Sequence, residues 1–96
     1  PFAPPLNGSA FGFDFNPTVD RIRVIGDANQ NLRLHPTTGA VVANDGALAF
    51  GAADVNAGRD PNAVHAAYTN SFPVTGSTTL YVIDTGLDVL ATQIPP

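Results

Sequence analysis

Two histidines, His35 and His65, are the side chains of this chain best suited to take a proton near neutral pH, so general-base catalysis would have to start from one of them. Cys, Glu and Lys are absent, which leaves Asp, Ser, Thr, Tyr and Arg for any remaining chemistry. The spacing assembles nothing around them. Neither histidine stands in a metal-ligand pair, and none of Ser9, Ser71 or Ser77 occupies a Gly-x-Ser-x-Gly elbow. Both histidines read as surface positions on strands, and the sequence points away from an enzyme.

A cation site is the next possibility. Asp54, Asn56 and Asp60 place oxygen donors at intervals along Asp54-Val55-Asn56-Ala57-Gly58-Arg59-Asp60, which resembles the first half of a calcium loop. Counted from Asp54, however, the glycine falls one place early, and the twelfth position, where a bidentate acid belongs, is His65. An ordinary turn rich in Asp and Asn is the simpler reading. Calcium is the one cofactor the sequence raises. Tyr68, Tyr81, Phe50 and Phe72 could line a glycan-binding surface, although aromatic residues of small β sheets more often belong to the core.

Whatever these residues do, a small fold must hold them. The chain has 96 residues, and a domain of this size buries only ~60–65% of the surface exposed when unfolded. Without cysteine there is no disulfide to compensate, so stability must come from packing, an ion or other chains. A net charge of −4 with only four basic residues disfavours nucleic acid and anionic membrane surfaces. No apolar run approaches the ~20 residues of a membrane-spanning helix. Methionine is missing and the chain opens Pro1-Phe2-Ala3-Pro4-Pro5, as expected of a processed product or an excerpt, with any signal peptide removed upstream.

Asp, Asn, Thr, Gly and Ala dominate, which favours turns and strands over helices. Residues 1–9 form an extended, Pro-rich lead-in. A first repeat spans residues 10–43, with strands at 10–16, 21–26, 31–35 and 40–43. Phe11, Phe13 and Phe15 alternate with Gly12, Asp14 and Asn16, the pattern of a strand with one buried face. A turn centred between Thr18 and Val19 sets Phe13 against Val24, Phe15 against Ile22 and Asp14 against Arg23. A second, centred on Ala28, sets Val24 against Leu32, Ile22 against Leu34 and Arg23 against Arg33. Both turns bring the apolar residues to one face, and a slip of one residue would undo that agreement. Asp14, Arg23 and Arg33 then form a row on the polar face, where Asp14 is expected to relieve the repulsion between the arginines.

Residues 44–62 read as a loop with a short strand near Ala47 to Phe50. A second repeat spans residues 63–94, with strands at 63–70, 78–84 and 87–93. A helix over Ala63 to Ala67, capped by Asp60-Pro61-Asn62, is the alternative for its first element. A two-residue Thr85-Gly86 turn would pair Val82 with Val89 and Leu80 with Ala91. The expected fold is therefore all-β: antiparallel, blade-like meanders forming about two propeller-type repeats that cannot close a ring alone.

The run FGFDFNPTVDRIRVIGDANQNLRLHPTTGAVV, followed by DGALAF, DVNAG, AAYTNS and TLYVIDTGLDVL, resembles secreted bacterial proteins of the domain-of-unknown-function 4394 family. The likeness runs from Ala10 to Gln93. It implies export behind a signal peptide and a propeller-like repeat fold, and it transfers no catalytic residue.

These readings lead to an extracellular structural module that associates with copies of itself or with the rest of a parent protein, giving a ring, filament or matrix subunit. Ala40 to Ala43 and Leu87 to Ile94 are the expected docking edges. The alternative is a lectin-like or calcium-stabilised binding module of a secreted propeller protein.

Overall fold

A computed structural model describes residues 2–96, and the described residues form seven strands and no helix. The strands are β1 (Phe11–Asn16), β2 (Arg21–Gly26), β3 (Asn31–Leu34), β4 (Val41–Asn44), β5 (Ala63–Tyr68), β6 (Leu80–Asp84) and β7 (Val89–Gln93). They make two antiparallel sheets, β1-β2-β3-β4 and β5-β6-β7, which do not close into a ring. The all-β expectation holds, and Ala63 to Ala67 is strand rather than helix.

The turns account for the register of the first sheet. Asn16 Oδ1 accepts hydrogen bonds from the Thr18 N–H at 2.9 Å and the Thr18 hydroxyl at 2.8 Å, which folds the chain back after β1. The next turn places Asn29 at φ 67°, a left-handed conformation that Asn tolerates better than most residues. β1 and β2 pair Phe13 with Val24, Asp14 with Arg23 and Phe15 with Ile22. β2 and β3 pair Ile22 with Leu34, Arg23 with Arg33 and Val24 with Leu32. Each of these pairs follows from the turn centres.

Three expectations need correction. Ala47 to Phe50 forms no strand; Leu48 only donates its N–H to the Asn29 carbonyl at 3.0 Å. The hairpin of the second sheet is longer than two residues: Asp84 pairs with Val89, Val82 with Ala91 and Leu80 with Gln93. The cause is the Asp84 side chain, whose Oδ1 accepts the N–H groups of Gly86 (2.9 Å) and Leu87 (2.8 Å), while Asp88 turns at φ 58°. The shift is two residues, so every side chain keeps its face. Third, the face of the first sheet that bears Gly12, Arg23 and Ile25 is not its outer one.

That face is where the second sheet packs. β5 lies against β1 and β2, and Ile25, Ala63 and Val82 form the buried cluster between the layers. Gly12 permits the approach. A Cβ there would sit 2.5 Å from the Ala66 nitrogen and 2.7 Å from the His65 carbonyl carbon, distances that backbone atoms cannot relieve. The opposite face of the first sheet holds Ile22, Val24, Leu32 and Leu34, all buried, with Phe2, Phe11 and Val41 packed on them. Part of the cover comes from the lead-in, which is tied down through Gln30: its amide donates to the Pro5 carbonyl at 2.9 Å, and its Oε1 accepts the Asn7 N–H at 3.0 Å.

Candidate functional site

Where β5 meets β1 and β2 the sheets are in contact, but β3, β4 and β7 diverge and leave a half-open cleft of about 1400 Å³. One wall carries Arg23, Arg33 and Asp45, and the other carries Ala91 and Gln93 of β7. Alternation along β2 and β3 brings Arg23 and Arg33 side by side on the face turned toward the second sheet. Two guanidinium groups so placed need an anion.

Asp45, the residue after β4, supplies it. Its Oδ2 accepts from Arg23 Nη1 at 2.6 Å and from Arg33 Nε at 2.8 Å, and its Oδ1 accepts from Arg33 Nη2 at 2.9 Å. The expected partner, Asp14, is opposite Arg23 in register but spends its carboxylate on backbone. Its Oδ1 accepts the Phe15 N–H at 2.9 Å, and its Oδ2 accepts the Tyr68 N–H of β5 at 2.7 Å. A short aspartate at that position reaches amides on its own strand and the neighbouring sheet more directly than a guanidinium across the ladder.

The electrostatics follow this geometry. The Arg33 hydrogen bonds hold the Asp45 carboxyl below its ordinary range; burial opposes them, and the Arg23 contacts reinforce them. The same contact raises Arg33, first through its hydrogen bond to Asp45 and then through the charge of that carboxylate. Arg23 is the buried member, with a side chain 5% exposed against 43% for Arg33. Its Nη1 also reaches Asn31 Oδ1 at 2.9 Å, and its Nη2 reaches the Pro96 carbonyl at 3.1 Å. Gln93 Nε2 donates to the same Asn31 oxygen at 3.1 Å, which ties β7 to β3 across the cleft. The cluster is a strut between the layers, satisfied mainly by its own members.

The other residues singled out by sequence are dispersed. Asp54 Oδ1 accepts the Asn56 N–H at 2.8 Å in a local turn, and Asp60 Oδ1 accepts from the Asn29 side-chain amide at 2.5 Å. Among the described residues no group of three or more His, Cys, Asp or Glu side chains could hold a metal ion. His35 Nδ1 accepts the N–H groups of Thr37 and Thr38 at 3.2 and 3.3 Å, so it organises the turn before β4. His65 is exposed on β5, opposite Ile83. Of the aromatic residues, Phe50 lines the cleft, Phe72 lies near the β1–β2 turn, Tyr68 is buried and Tyr81 faces outward. They form no common platform.

Sequence reasoning missed two carboxylates, Asp45 and Asp84. Asp84 is 3% exposed, and its Oδ2 accepts the Asn62 N–H at 2.8 Å while its Oδ1 holds the following turn. Burial alone would raise its carboxyl, but the bonds from Asn62, Leu87 and Gly86 outweigh burial and hold it below the usual range. The available signal was Asp84-Thr85-Gly86, a sequence in which an Asp commonly captures an amide two residues on.

The model of a domain of unknown function (DUF4394) matches residues 1–96. No curated protein and no solved structure matches the chain. The agreement of a full-length family match with the motifs read along β1 to β7 means that this chain belongs to the DUF4394 family.

Proposed function

We propose that this chain is an extracellular structural module, a pair of blade-like sheets finished by further β layers or by copies of itself. The observation that carries the reading is the pair of outer faces. On the first sheet Phe13 and Phe15 are 56% and 53% exposed, with their rings edge to face at 5.8 Å. On the second, Tyr81, Ile83 and Leu90 stand uncovered beside one another. Aromatic and branched side chains grouped on both outer faces of a small stack mark contact surfaces, whereas isolated ones would not. Each outer face suits another sheet packed ~10 Å away.

Sedimentation velocity over a range of concentrations tests this. The wild-type chain should form species larger than a monomer, and Phe13→Ser with Phe15→Ser should reduce them while leaving the circular dichroism spectrum intact. A monodisperse 9.9 kDa species at every concentration would overturn the proposal.

A second reading, a glycan- or calcium-binding module, draws on the cleft, where Phe50 adjoins Arg33 and Asp45. A melting temperature raised by an oligosaccharide or by calcium would favour it.

A further inference from the structure

Four strands bound the two sheets: β1 and β4 the first, β5 and β7 the second. Unpaired N–H and C=O groups along such an edge template another strand unless something blocks them. Three of these edges carry a block. On β1, Asp14 Oδ1 takes the Phe15 N–H, so the chain's own side chain occupies that position. The other oxygen of Asp14 takes the Tyr68 N–H of β5, a strand also distorted by a register shift between Ala63 and His65. β4 has only four residues, and its ladder with β3 shifts between Arg33 and Leu34. Shortness and bulges both discourage addition at an edge.

β7 is different. All five of its residues pair with β6 in unbroken register, and none is charged, Gly or Pro. Leu90 and Thr92 lie exposed on the outer face, and Leu90 is 66% accessible beside Ile83.

We infer that β7 is a self-recognition edge: it pairs antiparallel with β7 of a second copy, fusing the two second sheets into one. The inference rests on the assembly reading above and specifies its partner and register. The incoming strand must be extended, uncharged and regularly alternating, and β7 is the strand this chain has free to offer, so a second copy meets it with β7. Val89, Ala91 and Gln93 face inward and Leu90 and Thr92 outward, so a shared sheet requires odd residues opposite odd and even opposite even. The register of this kind that uses the whole strand is centred on Ala91. It sets Ala91 against Ala91 of the second copy, Leu90 against Thr92 and Val89 against Gln93. The pairing is two-fold, so each partner contributes the same patch and the contact closes as a dimer.

Two experiments on the full chain test the edge. Leu90→Lys with Thr92→Lys puts like charges opposite one another across the two-fold and leaves the buried face untouched, so association should weaken at least about tenfold. Light scattering should then give close to twice the chain mass for wild type and the chain mass for the variant at the same concentration, both with wild-type circular dichroism. Because the chain has no cysteine, a mixture of Leu90→Cys and Thr92→Cys proteins reads the register directly. Mild oxidation should link the mixture faster than either variant alone, since directly opposed Cβ atoms lie ~5 Å apart and diagonal ones ~7 Å. An oligomer that survives the lysines unchanged, or Leu90→Cys alone linking as fast as the mixture, would overturn the β7 pairing and leave assembly through the faces standing. A wild-type monomer at every concentration would overturn both.

Discussion

β2 and β6 are the central ladders of their sheets, yet only β2 is buried on both faces. From Ile22 to Gly26 every residue of β2 is buried, whereas β6 alternates strictly between buried and exposed. The first sheet lies between the lead-in on one side and the second sheet on the other; the second sheet has a neighbour on one side only. Both strands are apolar at alternate positions, so the difference comes from what packs on them and not from local preference. The face of the first sheet richer in glycine and charge is the one that received a partner. A bare glycine and a neutralised arginine let two backbones approach, and the bulky Phe13 and Phe15 remained outside.

Gly12 is where this asymmetry is most easily broken. Gly12→Ala would drive a methyl group into the Ala66 amide and the His65 carbonyl carbon, and neither can move without displacing β5. We expect a loss on the order of 4 kcal/mol, close to the whole stability of so small a domain, seen as loss of the cooperative thermal transition. Gly39 has no atom within 4 Å of its would-be Cβ, but its φ of +73° makes it a test of backbone strain and not of packing. Gly39→Ala should cost only about 1 kcal/mol.

Asp45 comes next. Asp45→Asn leaves the Arg23 guanidinium buried without its counter-ion, an expected cost of about 3 kcal/mol in urea denaturation. The change should be smaller for Arg33→Gln, because that side chain is half in water and loses a screened interaction.

How much of this was legible depends on sequence distance. β1 to β3 are joined by short turns, so turn centres and apolar alternation could be checked against one another, and both gave the observed register. Asp45 escaped because it lies after β4, beyond the irregularity at Arg33 and Leu34, where counting along strands no longer works. The role of Gly12 escaped for a stronger reason. It depends on the backbone of β5, more than fifty residues away, and no local pattern announces which face of a sheet a distant strand will choose. The Thr85-Gly86 turn misled because the residue that shapes it, Asp84, belongs to the preceding strand. The family match covers residues 1–96 but adds no site to these, since the family's function is unknown.

The two missed carboxylates offer a pH test that separates the sheets. Both have lower pKa values folded than unfolded, so the unfolded chain takes up protons first as pH falls. Their stabilisation is complete above the ordinary value of 3.8 and is lost as pH drops through the depressed folded values. Melting temperature should therefore fall steeply below about pH 4. Asp84→Asn should cost about 2 kcal/mol at neutral pH and flatten that fall. Added salt should weaken the Asp45 contribution, which depends on charge pairs, more than that of Asp84, which rests on backbone amides.

Asp14 makes the smallest and sharpest test, because it bonds to both sheets. If its role were to neutralise Arg23, Asp14→Asn would act on the cleft; the geometry says it acts on amides instead. The amide variant keeps one acceptor oxygen and turns a donor toward the other N–H, so about 1 kcal/mol should be lost. That corresponds to roughly fivefold faster hydrogen exchange, concentrated at the Tyr68 and Phe15 amides. Acceleration at Arg23 and Arg33 with Tyr68 unchanged would return Asp14 to the arginines and remove one of the blocks that leave β7 as the open edge.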